Sequence, residues 1–395
     1  MISQKTTHLS VDDRKRISSI ILLKLAITVL LTQAASAQMY SQLASFDGQN
    51  GSYPYGGVVR DLQGNLYGTT SQGGPLQFGT VFKLDTAGAL STLYSFDGSG
   101  LGAGPKSGLI LDPQGNLYGT TVAGGSEFGG DVFRVSPTGQ GAILHSFTGP
   151  PSDGDSPYSA LVLDSAGNLY GTTAYGGAYS QYGWGTIFKV DSAGNETVLY
   201  SFMRGNDGGQ PYAGLVADNA GNLYGTAELG GVSLYGTIFK LDSAGTFTVL
   251  LPLNIVVGYD IATNLTLDAN GNLYGGTFYG GTYGFGTVFE LNREGRYRVL
   301  YNFTGGADGS RAAGGLLFHR GILYGTTILG GQNGYGTVFE VNMSGEEKVL
   351  YSFGSSTYDG QVPSSGLVQD ETGTLYGTTQ SGGLYGYGTV YSIKP

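Results

Sequence analysis

Short runs of alternating apolar and polar residues recur along nearly the whole chain, separated by turns rich in Asp, Asn, Ser and Gly. Alternation with a period of two is the signature of a strand with one face buried. In one stretch the runs read GLILD (Gly108 to Asp112), NLYGTTV (Asn116 to Val122), DVFRV (Asp131 to Val135) and AILHSF (Ala142 to Phe147). The first two runs are joined by DPQGN, and elsewhere by DSAGN or DANGN; the last two are joined by turns such as LDTAG, VDSAG or LNREG. In such turns Asp accepts backbone hydrogen bonds and Gly supplies the positive φ of a tight hairpin. The pattern predicts four strands in one meandering antiparallel sheet.

That unit repeats. The triplet LYG is centred on Tyr67, Tyr118, Tyr170, Tyr224, Tyr274, Tyr324 and Tyr376, with spacings of 51, 52, 54, 50, 50 and 52 residues. A period near 50 with four strands per unit is that of a β-propeller blade. The predicted fold is all-β: a seven-bladed propeller of four-stranded antiparallel blades occupying residues 38–395 as one domain. The repeats fall near 56–107, 108–159, 160–213, 214–263, 264–314, 315–365 and 366–395. The last unit ends after its third strand, GTVYSI (Gly388 to Ile393), whereas YSQLASF (Tyr40 to Phe46) matches the fourth-strand pattern TVLYSF of Thr197 to Phe202. The N-terminal strand, residues 39–46, is therefore expected to complete the last blade and close the ring, leaving no unpaired edge.

The first 37 residues break the pattern. A basic DDRKR precedes an apolar run from Ile17 to Leu31, and Ala35-Ser36-Ala37 forms a small-x-small cleavage site. Residues 1–37 are read as a signal peptide, so the protein is expected to be secreted, to the periplasm, the cell surface or beyond, with no membrane span once the signal is cleaved. Its removal takes five basic and two acidic residues, leaving 14 basic and 27 acidic, a net charge of −13. Such an acidic surface repels polyphosphate, which excludes nucleic acid as a partner. The chain has 72 glycines without a collagen period and no cysteine, so neither a triple helix nor thiolate chemistry enters the picture.

GNLYGTT, the GG followed by YGTVF or FGTVF, and VLYSF together make the chain resemble the bacterial tandem-repeat family called GloVer, found in "choice-of-anchor" secreted or surface proteins. The resemblance covers essentially all of the chain after the signal. It implies export and a repeat architecture, and it brings no settled biochemical activity.

Chemistry is sparse in the repeats. The glycine-rich TTxxGG segments lead into strands and no Gly-Lys-Ser/Thr follows them, which excludes a phosphate loop. After the signal two histidines remain: His145 occupies the fourth-strand slot of Tyr94, Tyr200, Tyr301 and Tyr351, and His319 replaces the Asp that ends a first strand. They fall in different blades, and both read as substituted frame positions. Asp61, Asp112, Asp164, Asp218, Asp268 and Asp370 share the first turn, and Asp85, Asp191 and Asp242 the second. Between blades, DGDSP (Asp153 to Pro157), DGGQP (Asp207 to Pro211), DGS from Asp308 and DGQVP (Asp359 to Pro363) are oxygen-rich as calcium loops are, but none has the three or more acidic ligands of a strong site, so no cofactor is expected. The innermost strands carry aliphatic and small side chains, so the axis reads as poor in catalytic groups and the chain as more binder than enzyme.

Function is then sought where one blade departs from its siblings. The loop GGAYSQYGWGT (Gly176 to Thr186) is the longest of its kind and holds Tyr179 and Trp184, the single tryptophan; LLPLNIVVGYD (Leu250 to Asp260) replaces the usual inter-blade sequence, and Tyr279 follows in the next blade. Tyr179, Trp184, Ile255, Val256, Val257 and Tyr279 are the ligand-binding candidates, since flat aromatic rings offer stacking area at low entropic cost. The reading is an exported, non-enzymatic, monomeric binding or scaffold module for an extracellular glycan or a surface protein. Its alternative is a propeller lyase or glycoside hydrolase.

Overall fold

The computed structural model describes residues 39–261 and 263–395; the expected signal peptide lies outside them. Tyr40–Pro395 forms one compact unit. Among the described residues there is no helix, and the strands make seven four-stranded sheets and two small two-stranded ones. Blade two shows the pattern: Ile110–Leu111, Leu117–Thr121, Asp131–Val135 and Gly141–Ser146 pair in sequence order, each antiparallel to the last. The seventh blade is closed as the sequence predicts, with Met39–Ser45 beside Thr389–Lys394.

First strands are shorter than expected, two residues in six blades and ten in the sixth, Ser310–His319. Five blades place a proline just before this strand (Pro54, Pro105, Pro157, Pro211, Pro363), which supplies no N–H to the ladder. Blade six has Ala312 there and pairs through to Leu329. Blade five has Ile261 and stays short, so the missing proline permits the extension without forcing it.

The core is divided among the seams. Each of the seven buried apolar clusters joins one blade to the next, as Val81 and Phe96 of blade one meet Leu109, Leu117 and Phe133 of blade two. The closing seam is built the same way, with Phe46 and Val390 against Val58, Leu66 and Phe82. In six seams an aromatic at the end of the fourth strand meets, near-perpendicular, the third-strand aromatic of the next blade, as Phe96 on Phe133 at 5.1 Å and Phe147 on Phe188 at 5.0 Å. Leu253 takes the place of the ring in the remaining seam.

These rings explain the glycine of LYG. Gly119 pairs directly across from Phe133, and the equivalent glycine faces a third-strand aromatic in every blade. A Cβ at any of these glycines would come within 2.5 to 2.8 Å of that aromatic side chain. The tyrosine of LYG instead reaches the lower turn. Tyr118 donates to Asp112 at 3.0 Å, while the same carboxylate accepts from the backbone and side-chain amides of Asn116. Six blades repeat this Asp-centred tie; in the sixth, His319 stands where the aspartate would be.

Candidate functional site

On the upper face the blades are joined by backbone. In each blade the residue two before the first strand's leading Tyr, Lys, Ala or Ser adopts a left-handed conformation, with φ between 54° and 63°: Tyr53, Gly104, Ser156, Gln210, Asp260, Arg311 and Val362. Gln210 N–H donates to Trp184 O of the preceding blade, and Gln210 O accepts from Glu228 N–H of its own. Tyr53, Gly104, Ser156 and Val362 make the same two-way link. Only one of the seven is glycine, so six side chains are held in a conformation that costs on the order of 1–3 kcal/mol each. Because backbone atoms make the link, the side chains are free to differ.

The residues crowning this ring enclose a cavity of about 910 Å³ at the upper end of the axis, floored by Leu109, Leu161, Leu215, Leu265, Leu316 and Leu367 of the inner strands. One arc of its wall is aromatic and cationic. Lys106 lies between two rings, its Nζ 5.7 Å from the centre of Tyr55 and 5.0 Å from that of Tyr158. Tyr158 meets Tyr212 edge-on at 5.1 Å, and Tyr212 and Tyr175 share a hydrogen bond between hydroxyls at 2.9 Å. The wall also carries Glu228, Asp260, Phe278, Ile328 and Gln380, with Glu228 close enough to Tyr212 for their charges to interact. Ser364 also lines the mouth, and its buried hydroxyl has no partner among the described residues.

Burial pushes the Glu228 carboxyl up to about 7, and the charge of Asp260 adds to the effect. Asp260 is itself raised by burial, with Arg311 opposing. Burial and the bond to Tyr175 likewise raise the Tyr212 hydroxyl. A half-buried carboxyl raised to about 7, in the same cavity as a cation held by two rings, can hydrogen-bond to hydroxyl groups in either protonation state. The axis is therefore richer in polar groups than its strands suggest. The inner strands do supply only aliphatic side chains, but the loops above them supply Lys106, Glu228, Asp260 and the tyrosines.

The candidates drawn from irregular loops lie elsewhere and fall into two groups. Trp184 is half-buried at the seam of blades three and four, with the Arg204 guanidinium 4.3 Å from its ring centre. Tyr179, on the same loop, is 46% exposed. Ile255 and Val256 are exposed on a turn held by a bond from Gly281 N–H to Ile255 O, while Val257 packs into the seam of blades four and five. Tyr279 stacks on Tyr259 at 5.5 Å, with Arg311 5.0 Å over its ring. None of the six lines the axial cavity. What sequence reasoning missed was still visible in it: the residue after each loop proline varies as Tyr55, Lys106, Tyr158, Tyr212 and Ser364 within an otherwise fixed motif.

Of the inter-blade aspartates considered for calcium, Asp308 and Asp359 are buried structural acceptors. Asp359 takes bonds from Tyr351 Oη, Ser355 N and Oγ, and Gly360 N, and Asp308 from Tyr301 Oη and Thr304. His319 ends the long first strand of blade six at the lower turn, as expected, and His145 sits on the outer strand of blade two.

Comparison with known proteins gives a family and a fold. A family model described as the Gloeobacter/Verrucomicrobia repeat matches residues 29–233 and 214–395. No curated protein matches by sequence. Among solved structures, a candidate gluconolactonase from structural genomics is 14% identical over 91% of this chain and 92% of its own, with a TM-score of 0.43. A gluconolactonase from Xanthomonas campestris is 13% identical over 91% of this chain and 90% of its own, with a TM-score of 0.45. Neither likeness assigns a residue or a reaction to this chain.

Proposed function

The chain belongs to the Gloeobacter/Verrucomicrobia repeat family, and from that premise we propose that it is an exported carbohydrate-binding propeller whose site is the axial mouth. The observation that carries this reading is that Tyr55, Lys106, Tyr158, Tyr212 and Glu228 line one cavity. Tyrosine faces stack on the apolar faces of sugar rings, while Lys106, Glu228, Gln380 and Ser364 supply donors and acceptors for hydroxyls. The cavity has the size of a small-ligand pocket, which suits a mono- or oligosaccharide end group better than a flat protein surface.

A glycan-array screen of the purified protein, followed by titration of the best ligand, tests it. Tyr158→Ala should weaken binding about tenfold, the value of one aromatic contact of ~0.5–1.5 kcal/mol, and Trp184→Ala should not. The reverse pattern would return the site to the irregular loops.

A second reading rests on the carboxyl pair. Glu228 and Asp260 share the mouth and burial raises both from their ordinary values, Glu228 to about 7, the direction a lyase or glycoside hydrolase requires of its general acid. Turnover of an array-selected glycan that is lost in Glu228→Gln with affinity retained would favour that enzyme.

A further inference from the structure

We propose a divalent transition-metal site, of the kind that takes Zn²⁺ or Co²⁺, at the outer seam of blades two and three, formed by His145, Asp153 and Glu196. In this fold the fifth residue of a fourth strand meets a residue at the start of the next blade's fourth strand. Tyr200 stacks on Phe247 there at 4.0 Å, and Tyr351 on Tyr40 at 4.0 Å. Only between blades two and three do both partners depart from this pattern toward ligand chemistry, as His145 and Glu196. His145 Nε2 lies 3.1 Å from Asp153 Oδ2, and a Glu196 oxygen lies within 4.8 Å of both ligand atoms.

A further observation favours a cation here. Glu196 Oε1 is shut off from solvent and has no hydrogen-bond partner among the described residues. Buried carboxylate oxygens without donors are costly, and a divalent ion is a direct way to satisfy them. One imidazole nitrogen with two carboxylate oxygens is a donor set for zinc-like ions; calcium and magnesium prefer oxygen alone.

The seam between blades five and six is a built-in control. It has Glu347, whose Oε1 is likewise buried and unpartnered, and Asp308, but Tyr301 stands where His145 does. A neutral phenol is a poor ligand, so that seam should bind no ion.

Titration of the metal-stripped protein with Co²⁺, read by d–d absorption and by calorimetry, is expected to show one equivalent bound. Zn²⁺ at hundredfold excess over its Kd should raise Tm by a few degrees. His145→Tyr installs the residue found at this slot in four sibling blades, so it should fold and lose the Co²⁺ spectrum. Tyr301→His should add a second equivalent. No stoichiometric Co²⁺ binding by the wild type, or an unchanged spectrum in His145→Tyr, overturns the proposal. A folded Tyr301→His that still binds one equivalent overturns the claim that the His-Asp-Glu set is sufficient.

Discussion

The two rims of this propeller are tied together by different atoms. At the lower rim the tie is made of side chains: in six blades an aspartate accepts from an LYG tyrosine at 2.9 to 3.2 Å and from the turn backbone. At the upper rim the tie is made of backbone, through the ring of left-handed residues that link adjacent blades. A side-chain tie fixes residue identity, and a backbone tie leaves it free. The repeated half of each motif therefore reports the frame, and the upper rim, where the frame asks nothing of the side chains, is where a ligand site can evolve.

The largest effects should come from the frame and leave ligand affinity alone. Phe46→Ala removes a fully buried ring from the closing seam and should cost about 3–5 kcal/mol in denaturant unfolding. A loss below about 1 kcal/mol would contradict closure by the N-terminal strand. Gly119→Ala should cost about 1–3 kcal/mol by overpacking against Phe133 and Leu109. By contrast Gly88, with nothing within 4 Å of an added Cβ, should show only the strain of its positive φ.

Smaller effects should separate the rims. Asp164→Ala breaks one lower tie and should lower stability by about 1 kcal/mol without changing ligand affinity. Tyr158→Ala, at the upper rim, should do the opposite: about tenfold weaker binding with a small change in Tm.

The rims should also respond oppositely to pH. Turn aspartates such as Asp61 and Asp218 are held below the usual carboxylate value by the amides and tyrosine that bond to them, against the opposing effect of burial. Their contribution is present above the unfolded value of 3.8 and is lost as pH falls through the lower folded value. Glu228 at the upper rim is raised by burial from 4.5 to about 7, as is Glu347 at the outer seam of blades five and six. The folded state then binds the proton more tightly, and their contribution is full below 4.5 and lost as pH rises through about 7. Thermal melts should therefore fall from pH about 4.5 to 7.5, with a shallower slope in Glu228→Gln; a Tm that climbs over that range would break the comparison.

Most of the fold was legible because each blade states it again. The period, the hairpin turns and the orphan fourth strand at Tyr40 to Phe46 sufficed for the seven-fold ring. The glycine of LYG makes room for a ring, a register fact that no single strand reveals. The mouth was less legible because its wall comes from loop residues such as Lys106 and Glu228, set above first strands whose aliphatic side chains were taken for the axis. His145 read as a lone substitution since Glu196 lies a whole repeat away, and only the packing of adjacent blades brings the two together.

Hydrogen exchange with and without the array-selected glycan tests the central claim most directly. The account predicts new protection on the upper-rim segments around Tyr55, Lys106, Tyr158 and Tyr212, and no change at the lower Asp-centred turns. Protection confined to the Gly176 to Thr186 loop and the turn of Ile255 and Val256 would contradict it.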